Sequence, residues 1–464
     1  MVEIKRKGII EEDQIYETLK RARSHDSSMV RDILAKGRAL EGLDEQDIAV
    51  LTGVSDPNLL AEMFDAARNV KDLVYGNRLV LFAPLYISNL CGNECVYCAF
   101  RVRNTDVKRR ALDQEEIADE VRHLVSQGHK RILLVAGEAY PREGFSYILR
   151  SIDTIYDSAR GHGEIRRANV NIAPLTSGEF KLLREARIGT YQLFQETYHQ
   201  ETYRQVHVSG RKMDFDWRIS AMDRAVEAGI DDVGIGVLFG LFDWRFEILA
   251  LLQHIRHLER KHGIGPHTIS VPRLEPAVGS DIASQPPHPV SDLDFRRIVA
   301  ILRLAVPYTG IIMSTRESAD MRRETFALGV SQISAGSRTN PGGYGAERPD
   351  EAQFSLGDHR SLDDVVRDVA SLGYVPSFCT ACYRLGRTGG DFMDLAKPGL
   401  IKTHCQPNAV ATFQEFLLDY GSPRTREVGR ETIARAMEEM DGGTRRKTER
   451  MLGRLREGRR DVYC

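Results

Sequence analysis

Residues 79–98 read LVLFAPLYISNLCGNECVYC, an apolar run that ends directly in three cysteines, Cys91, Cys95 and Cys98. The run Leu79–Ser88 has the length and the β-branched and aromatic content of a buried strand. Outward from it the same alternation repeats. Strand-like runs recur at Arg131–Ala136, Ala168–Pro174, Thr190–Glu196, Asp232–Gly240, Thr268–Leu274, Gly310–Thr315 and Gln332–Ala335. Amphipathic stretches of helical period lie between them, among them Gln114–Gln127, Gly178–Glu185, Trp217–Ala228, Trp244–His262 and Asp294–Ala305. Strands alternating with helices build parallel βαβ units, and eight of them predict a (β/α)8 barrel over residues 79–345. In such a barrel the strand C-terminal ends build the active site. Those positions hold Cys91, Glu138, Glu196, Arg273, Arg316 and Ser337, whereas the strand bodies are mainly apolar.

Residues 1–78 read as an N-terminal helical cover, with Ile15, Leu19, Ile33, Leu34, Leu40 and Ile48 spaced among charges. Ser55 or Asp56 caps a further helix that starts at Pro57 and runs to about Val74. After the barrel, TNPGGYGAERPDE (residues 339–351) reads as a boundary, and residues 346–464 as a mainly helical C-terminal domain. That domain begins with the helix SLDDVVRDVASLG. Further helices are expected at Ala409–Tyr420 and, strongly charged, at Arg426–Glu457. Trp217 and Trp244 read as packing residues.

The chain has 464 residues, 42% of them hydrophobic and 28% charged, which excludes disorder as the dominant state. Lys and Arg total 64 against 66 Asp and Glu, so no global basic field invites nucleic acid. The opening MVEIKRKGIIEEDQ carries charges where a signal peptide needs an apolar core, and no stretch approaches the roughly 18 apolar residues of a membrane span. A cytoplasmic protein is expected. Its seven cysteines are too few for a disulfide scaffold, but six fall into two triplets, which suggests metal ligation or redox chemistry. Cys464 reads as an exposed tail thiol.

The first triplet has the spacing C-x3-C-x2-C. Three thiolates on a four-iron cluster leave one iron open for a ligand, whereas structural zinc wants a fourth ligand, and no histidine lies in this loop. The second, Cys379-Thr-Ala-Cys382 with Cys405 after a 22-residue interval, suits zinc or a second iron–sulfur cluster. Arg384, Arg387, Lys397 and Lys402 are placed to offset thiolate charge.

The motif CGNECVYC directly after the first strand resembles the radical S-adenosylmethionine (radical SAM) superfamily. The resemblance implies that the open iron chelates SAM, and that reduction of the cluster cleaves SAM to a 5′-deoxyadenosyl radical. Ala136-Gly137-Glu138 stands where the superfamily keeps a Gly-Gly-Glu-like SAM contact, with Ala136 replacing its first glycine. Tyr97 would lie beside the adenine, and Gly234 and Gly236 of GIGVLFG would accept the adenosine, although a glycine-rich strand equally suits tight packing.

The phrases LYISNLC, NIAPL, FQETYH, SVPRLEPA, STRE and PSFCTACYRLGRTGGDFMDLAKPG resemble the tyrosine lyases of FeFe-hydrogenase maturation (HydG type). They are shared more loosely with the 2-iminoacetate synthases of thiamine biosynthesis. Ala99 stands where glycine is expected and Glu275 where a basic residue is expected. The resemblance implies two 4Fe–4S clusters, the second carrying an extra iron, and a lyase that cuts the Cα–Cβ bond of L-tyrosine. The products are p-cresol and dehydroglycine, the latter becoming carbon monoxide and cyanide on iron at the second cluster. Flavodoxin or ferredoxin as reductant and other hydrogenase maturases are the implied partners. Arg316 would hold the tyrosine carboxylate, unless it is spent on a rim salt bridge with Glu317. Glu196 would contact SAM or substrate, and His267 would ligate the extra iron. A synthase that stops at dehydroglycine, or a paralogue acting on another amino acid, is the alternative.

Overall fold

The computed structural model describes residues 8–23, 26–159, 163–346 and 351–464. Met1–Lys7 of the opening segment and Glu347–Asp350 of the boundary loop lie outside the described residues.

Eight parallel strands close into a barrel: β1 (Arg78–Ser88), β2 (Arg131–Ala136), β3 (Arg167–Asn171), β4 (Tyr191–Gln192), β5 (Val233–Gly236), β6 (Thr268–Ser270), β7 (Gly310–Met313) and β8 (Val330–Ser334). Closure comes from β8 against β1, with Val80 opposite Gln332 and Phe82 opposite Ser334. All eleven residues of β1 are buried, because sheet neighbours and helices cover both its faces. The regular strands end earlier than the alternating sequence suggests. Beyond Gln192 the chain turns out toward the rim, Glu196 adopts φ 72°, and single bridges such as Glu196–Val237 and Phe239–Arg273 continue the pairing.

A ninth strand, β9 (Val375–Ser377), pairs in parallel with the start of β1, Arg78 opposite Val375 and Val80 opposite Ser377. From Ala83 onward β1 pairs with β2 instead. The second cysteine triplet thus begins two residues beyond a strand added to the lower, N-terminal end of the barrel. The first follows the upper end of β1, separated by roughly 30 Å of strand at about 3.3 Å per residue.

The described residues of the N-terminal segment are mainly helical, and Asp56, rather than Ser55, caps Pro57–Tyr75 by accepting from Asn58 N at 2.9 Å and Leu59 N at 3.0 Å. Two expected helices are each split. Trp217–Ala228 is Phe215–Ile219 and Ala221–Glu227, because the Ser220 hydroxyl bonds back to the Asp216 carbonyl and bends the axis. Arg426–Glu457 is Pro423–Glu438 and Gly442–Arg456, because Asp441-Gly442-Gly443 ends one helix and Asp441 caps the next, accepting from Gly443 N and Thr444 N. The last helix also buries a face (Thr448, Met451, Leu452, Leu455) against the helix Lys402–Asp419. A buried pair, Arg166 Nη2 to Glu415 Oε1 at 2.6 Å, ties that helix to the barrel. Cys464 is not an exposed tail. Its N–H donates to Asn408 Oδ1 at 2.9 Å and its carbonyl accepts from Arg387 and Asn408, so it is half-buried. No helix of the described residues is long and apolar enough to cross a membrane.

Candidate active site and second metal centre

The upper loop brings Cys91, Cys95 and Cys98 together between β1 and the short antiparallel pair Glu94–Cys95 with His207–Ser209. Gly137 makes this close approach possible: a Cβ there would sit 2.2 Å from the Leu90 carbonyl oxygen, and Gly137 N donates to Ser88 O. Burial raises the pKa of the Cys91 and Cys98 thiols, and the Glu138 carboxylate raises Cys91 further while the Cys91 thiol does the same to Cys98. Lys212 opposes burial at all three cysteines.

Beneath the loop lies a cavity of about 160 Å³ inside the upper barrel. Tyr97, Cys98, Glu196, Glu275 and Arg316 line it, with Phe82, Tyr86, Phe194 and Phe354 as aromatic walls and Asn171, Gln192, Ser270 and Ser334 as polar floor. The Arg316 guanidinium lies over the Phe354 ring, 3.2 Å from its centre, and pairs with no carboxylate among the described residues. Glu317 is taken by Arg273 instead (Nε to Oε1 2.9 Å). Burial pushes the Glu275 carboxyl up, and Glu317 adds to that.

Glu138 and Glu196 are held by a network that sequence reasoning missed. Arg218 donates to Glu138 Oε1 at 2.8 Å, Asn93 Nδ2 donates to its Oε2 at 2.8 Å, and Lys212 donates to Glu196 Oε1 at 2.7 Å. Burial pushes the Glu138 carboxyl up, but Arg218, Lys212 and Asn93 more than reverse this and hold it below the usual carboxylate range. Lys212 and Arg218 come from a segment between strands that carries no motif, which is why sequence gave no sign of them. Tyr97 bonds His207 Nε2 through its hydroxyl at 2.9 Å. Gly234 and Gly236 are not among the residues lining this cavity. A Cβ would crowd Thr268 and Gln192 at Gly234, and Ser270 and Phe194 at Gly236.

At the lower mouth, Cys379, Cys382 and Cys405 share a cavity of about 50 Å³ with Arg78, Arg131 and His267. Burial, then the neighbouring Cys405 and Cys379 thiols, push Cys382 up to about 12. Arg131 Nη2 donates to Cys379 O at 2.6 Å. His267 Nδ1 faces the buried Asp232 carboxylate at 3.3 Å, and burial lowers the imidazole pKa, favouring the neutral ring. Neither Asp232 oxygen accepts a hydrogen bond among the described residues. His404 turns aside to Arg387.

Among the described residues no three His, Cys, Asp or Glu side chains converge as one metal ion requires. Each mouth nevertheless gathers three thiols beside cationic side chains, a donor set that fits a polynuclear iron–sulfur cluster. The orphaned Asp232 carboxylate behind His267 fits a further ligand there, since metal-bound histidines commonly give their other nitrogen to a carboxylate.

Comparison with known proteins agrees with this geometry. The sequence matches the Radical SAM superfamily over residues 85–252 and the Biotin and Thiamin Synthesis associated domain over residues 270–375. It is 32% identical to the 2-iminoacetate synthase of Escherichia coli (strain K12) over 338 residues, 72% of this chain and 86% of that protein. The crystal structure of HydG, a maturase of the FeFe-hydrogenase, superposes with a TM-score of 0.95 at 48% identity, covering 98% of this chain and all of that one. HydG from Carboxydothermus hydrogenoformans gives a TM-score of 0.84 at 42% identity, over 95% and 97% of the two chains.

Proposed function

Because the chain belongs to the HydG-type maturase family of radical SAM enzymes, we propose that it cleaves the Cα–Cβ bond of L-tyrosine to p-cresol and dehydroglycine. Cys379, Cys382 and Cys405 would hold the iron–sulfur centre whose iron would take the dehydroglycine-derived carbon monoxide and cyanide, for assembly of the FeFe-hydrogenase active site. The observation that carries this reading is the placement of two cysteine triplets at the two mouths of one barrel.

When bound at Cys91, Cys95 and Cys98, a reduced four-iron cluster with SAM supplies a carbon-centred radical that abstracts hydrogen. The chain's own residues do the rest. Arg316, which pairs with no carboxylate among the described residues and lies over Phe354 in the cavity wall, pairs with the amino-acid carboxylate. Phe82, Tyr86, Phe194 and Phe354 enclose the aromatic ring and exclude water. Glu138, paired with Arg218, and Glu196, paired with Lys212, would hold the cationic parts of SAM. Tyr97 lines the same cavity beside Cys98. Below, the polar floor suits a small polar fragment passing down the barrel. At the lower mouth Arg78 and Arg131 offset thiolate charge, and His267 offers a ring nitrogen to an extra iron. A small electron-transfer protein such as flavodoxin or ferredoxin would supply the electrons.

The test is carbon monoxide release from carboxyl-labelled tyrosine by anaerobically reconstituted protein given SAM and dithionite, read with a haem trap. Labelled carbon monoxide is expected, and Cys379→Ser should abolish it while p-cresol still forms. No carbon monoxide from protein that holds both clusters would overturn the maturase reading. Dehydroglycine alone would then indicate a 2-iminoacetate synthase.

A further inference from the structure

Gln353 comes from the loop after the last barrel strand, where its backbone N–H is anchored on Thr339 O at 2.9 Å. Its side chain reaches over the upper cavity to the first cysteine loop. Tyr86 donates its hydroxyl to Gln353 Oε1 at 2.7 Å, and Gln353 Nε2 donates to Cys98 Sγ at 3.7 Å. Phe100 N is a second donor to the same sulfur, at 3.4 Å. Among the described residues Cys91 and Cys95 have no such side-chain donor.

The amide orientation is determined at both ends. A ligating thiolate carries no proton, so only the –NH2 group can face Cys98, and Oε1 must then accept from Tyr86. Burial raises the Tyr86 pKa well beyond the physiological range, so this phenol remains a donor.

We infer that Gln353 is a positioning residue for the first cluster: its amide donates to the Cys98 sulfur, favours the reduced cluster, and through Tyr86 couples that balance to the contents of the substrate cavity. Reduction adds one electron and places more negative charge on the sulfurs. A donor N–H therefore stabilises the reduced form more than the oxidised one, and hydrogen bonds to sulfur are among the determinants of cluster potential. Tyr86 lines the cavity next to Arg316, so a ligand that moves the phenol moves the amide. The inference rests on radical SAM membership and not on tyrosine being the substrate.

The experiment is an anaerobic redox titration of the reconstituted full-length protein by electron paramagnetic resonance. It follows the signal that added SAM perturbs, which is that of the first cluster. Gln353→Leu keeps the bulk and removes the donor. At a fixed potential its ratio of reduced to oxidised cluster should fall by about three- to tenfold, with a more negative midpoint. Tyr86→Phe, which frees the amide to rotate, should shift the midpoint the same way by less. An unchanged midpoint in Gln353→Leu with the cluster intact overturns the inference. If Gln353→Leu cannot hold its cluster, an unchanged midpoint in Tyr86→Phe overturns it instead. No tyrosine is present, so neither result bears on the proposed lyase reaction.

Discussion

Arg316 and Glu317 are neighbours in sequence but do not pair. Glu317, buried, closes on Arg273 (Nε to Oε1 2.9 Å), and Arg273 also reaches Asp292 at 2.8 Å. The Arg316 guanidinium is left over Phe354 in the cavity wall. Arg273 thus keeps Arg316 available for an incoming carboxylate. Hydrogen bonds to charged groups contribute about 1.5–3 kcal/mol each. Arg316→Ala should therefore weaken tyrosine binding by about thirtyfold or more, and Arg316→Lys by less, because lysine keeps the charge and loses the bidentate fork. Arg273→Ala should also weaken binding, by releasing Glu317 toward Arg316. Anaerobic calorimetric titration of tyrosine into SAM-loaded protein reads all three, and unchanged affinity in Arg316→Ala would falsify the carboxylate assignment.

Gly137 is the point where the upper cysteine loop rests on β2. A methyl group there overlaps the Leu90 carbonyl oxygen at 2.2 Å, and backbone rather than a flexible side chain would have to move. Gly137→Ala should cost the protein its SAM-responsive cluster signal and leave the lower centre intact. Iron analysis with electron paramagnetic resonance before and after adding SAM distinguishes this from a global folding defect.

Asp232 and His267 are both buried, 3.3 Å apart, and among the described residues no group donates a hydrogen bond to the Asp232 carboxylate. Carboxylates behind a metal-bound histidine are typically worth 10–100-fold in metal affinity. Asp232→Asn should weaken binding of ferrous iron at the lower mouth by about that factor, and His267→Ala should abolish it. Titration with isotopically enriched iron, followed by Mössbauer spectroscopy, is the measurement. Full iron retention in His267→Ala would remove His267 from the ligand set.

Glu247 is buried in the helix Trp244–His262, where it meets the Thr197 hydroxyl and accepts from Tyr198 N at 2.9 Å. Burial pushes its carboxyl up to about 8 from an ordinary 4.5. The folded chain therefore holds a proton that the unfolded chain releases near pH 4.5. Stability attached to this proton is complete below that pH, falls as pH rises through about 8, and is level beyond. Glu247→Gln keeps the shape without titrating. Its melting temperature should match the wild type near pH 5 and exceed it at pH 9, and equal values at both pH values would contradict the assignment.

The alternation of strand and helix was legible because each element's burial pattern is written in residues a few positions apart. Trp244–His262 and Gln114–Gln127 have the bounds their periodicity implies. The splits at Ser220 and Asp441 were less visible, because one local hydrogen bond or cap overrides a favourable helical pattern. At Gly234 and Gly236 the pattern alone does not separate a strand that admits a ligand from one that admits a neighbour's side chain, and both glycines have such side chains close by.

The sequence by itself determined the parallel barrel and the two cysteine sets, since hydrophobic period and thiol spacing are local and survive without any partner. Only the tertiary structure decided that β9 joins β1 and so puts the second set at the opposite mouth. It also decided that Glu317 chooses Arg273 over Arg316, that Lys212 and Arg218 hold the two carboxylates, and that Gln353 meets Cys98. These contacts join residues tens to hundreds of positions apart. Nothing in the local pattern encodes such pairings, because they depend on which surfaces closure of the barrel brings together.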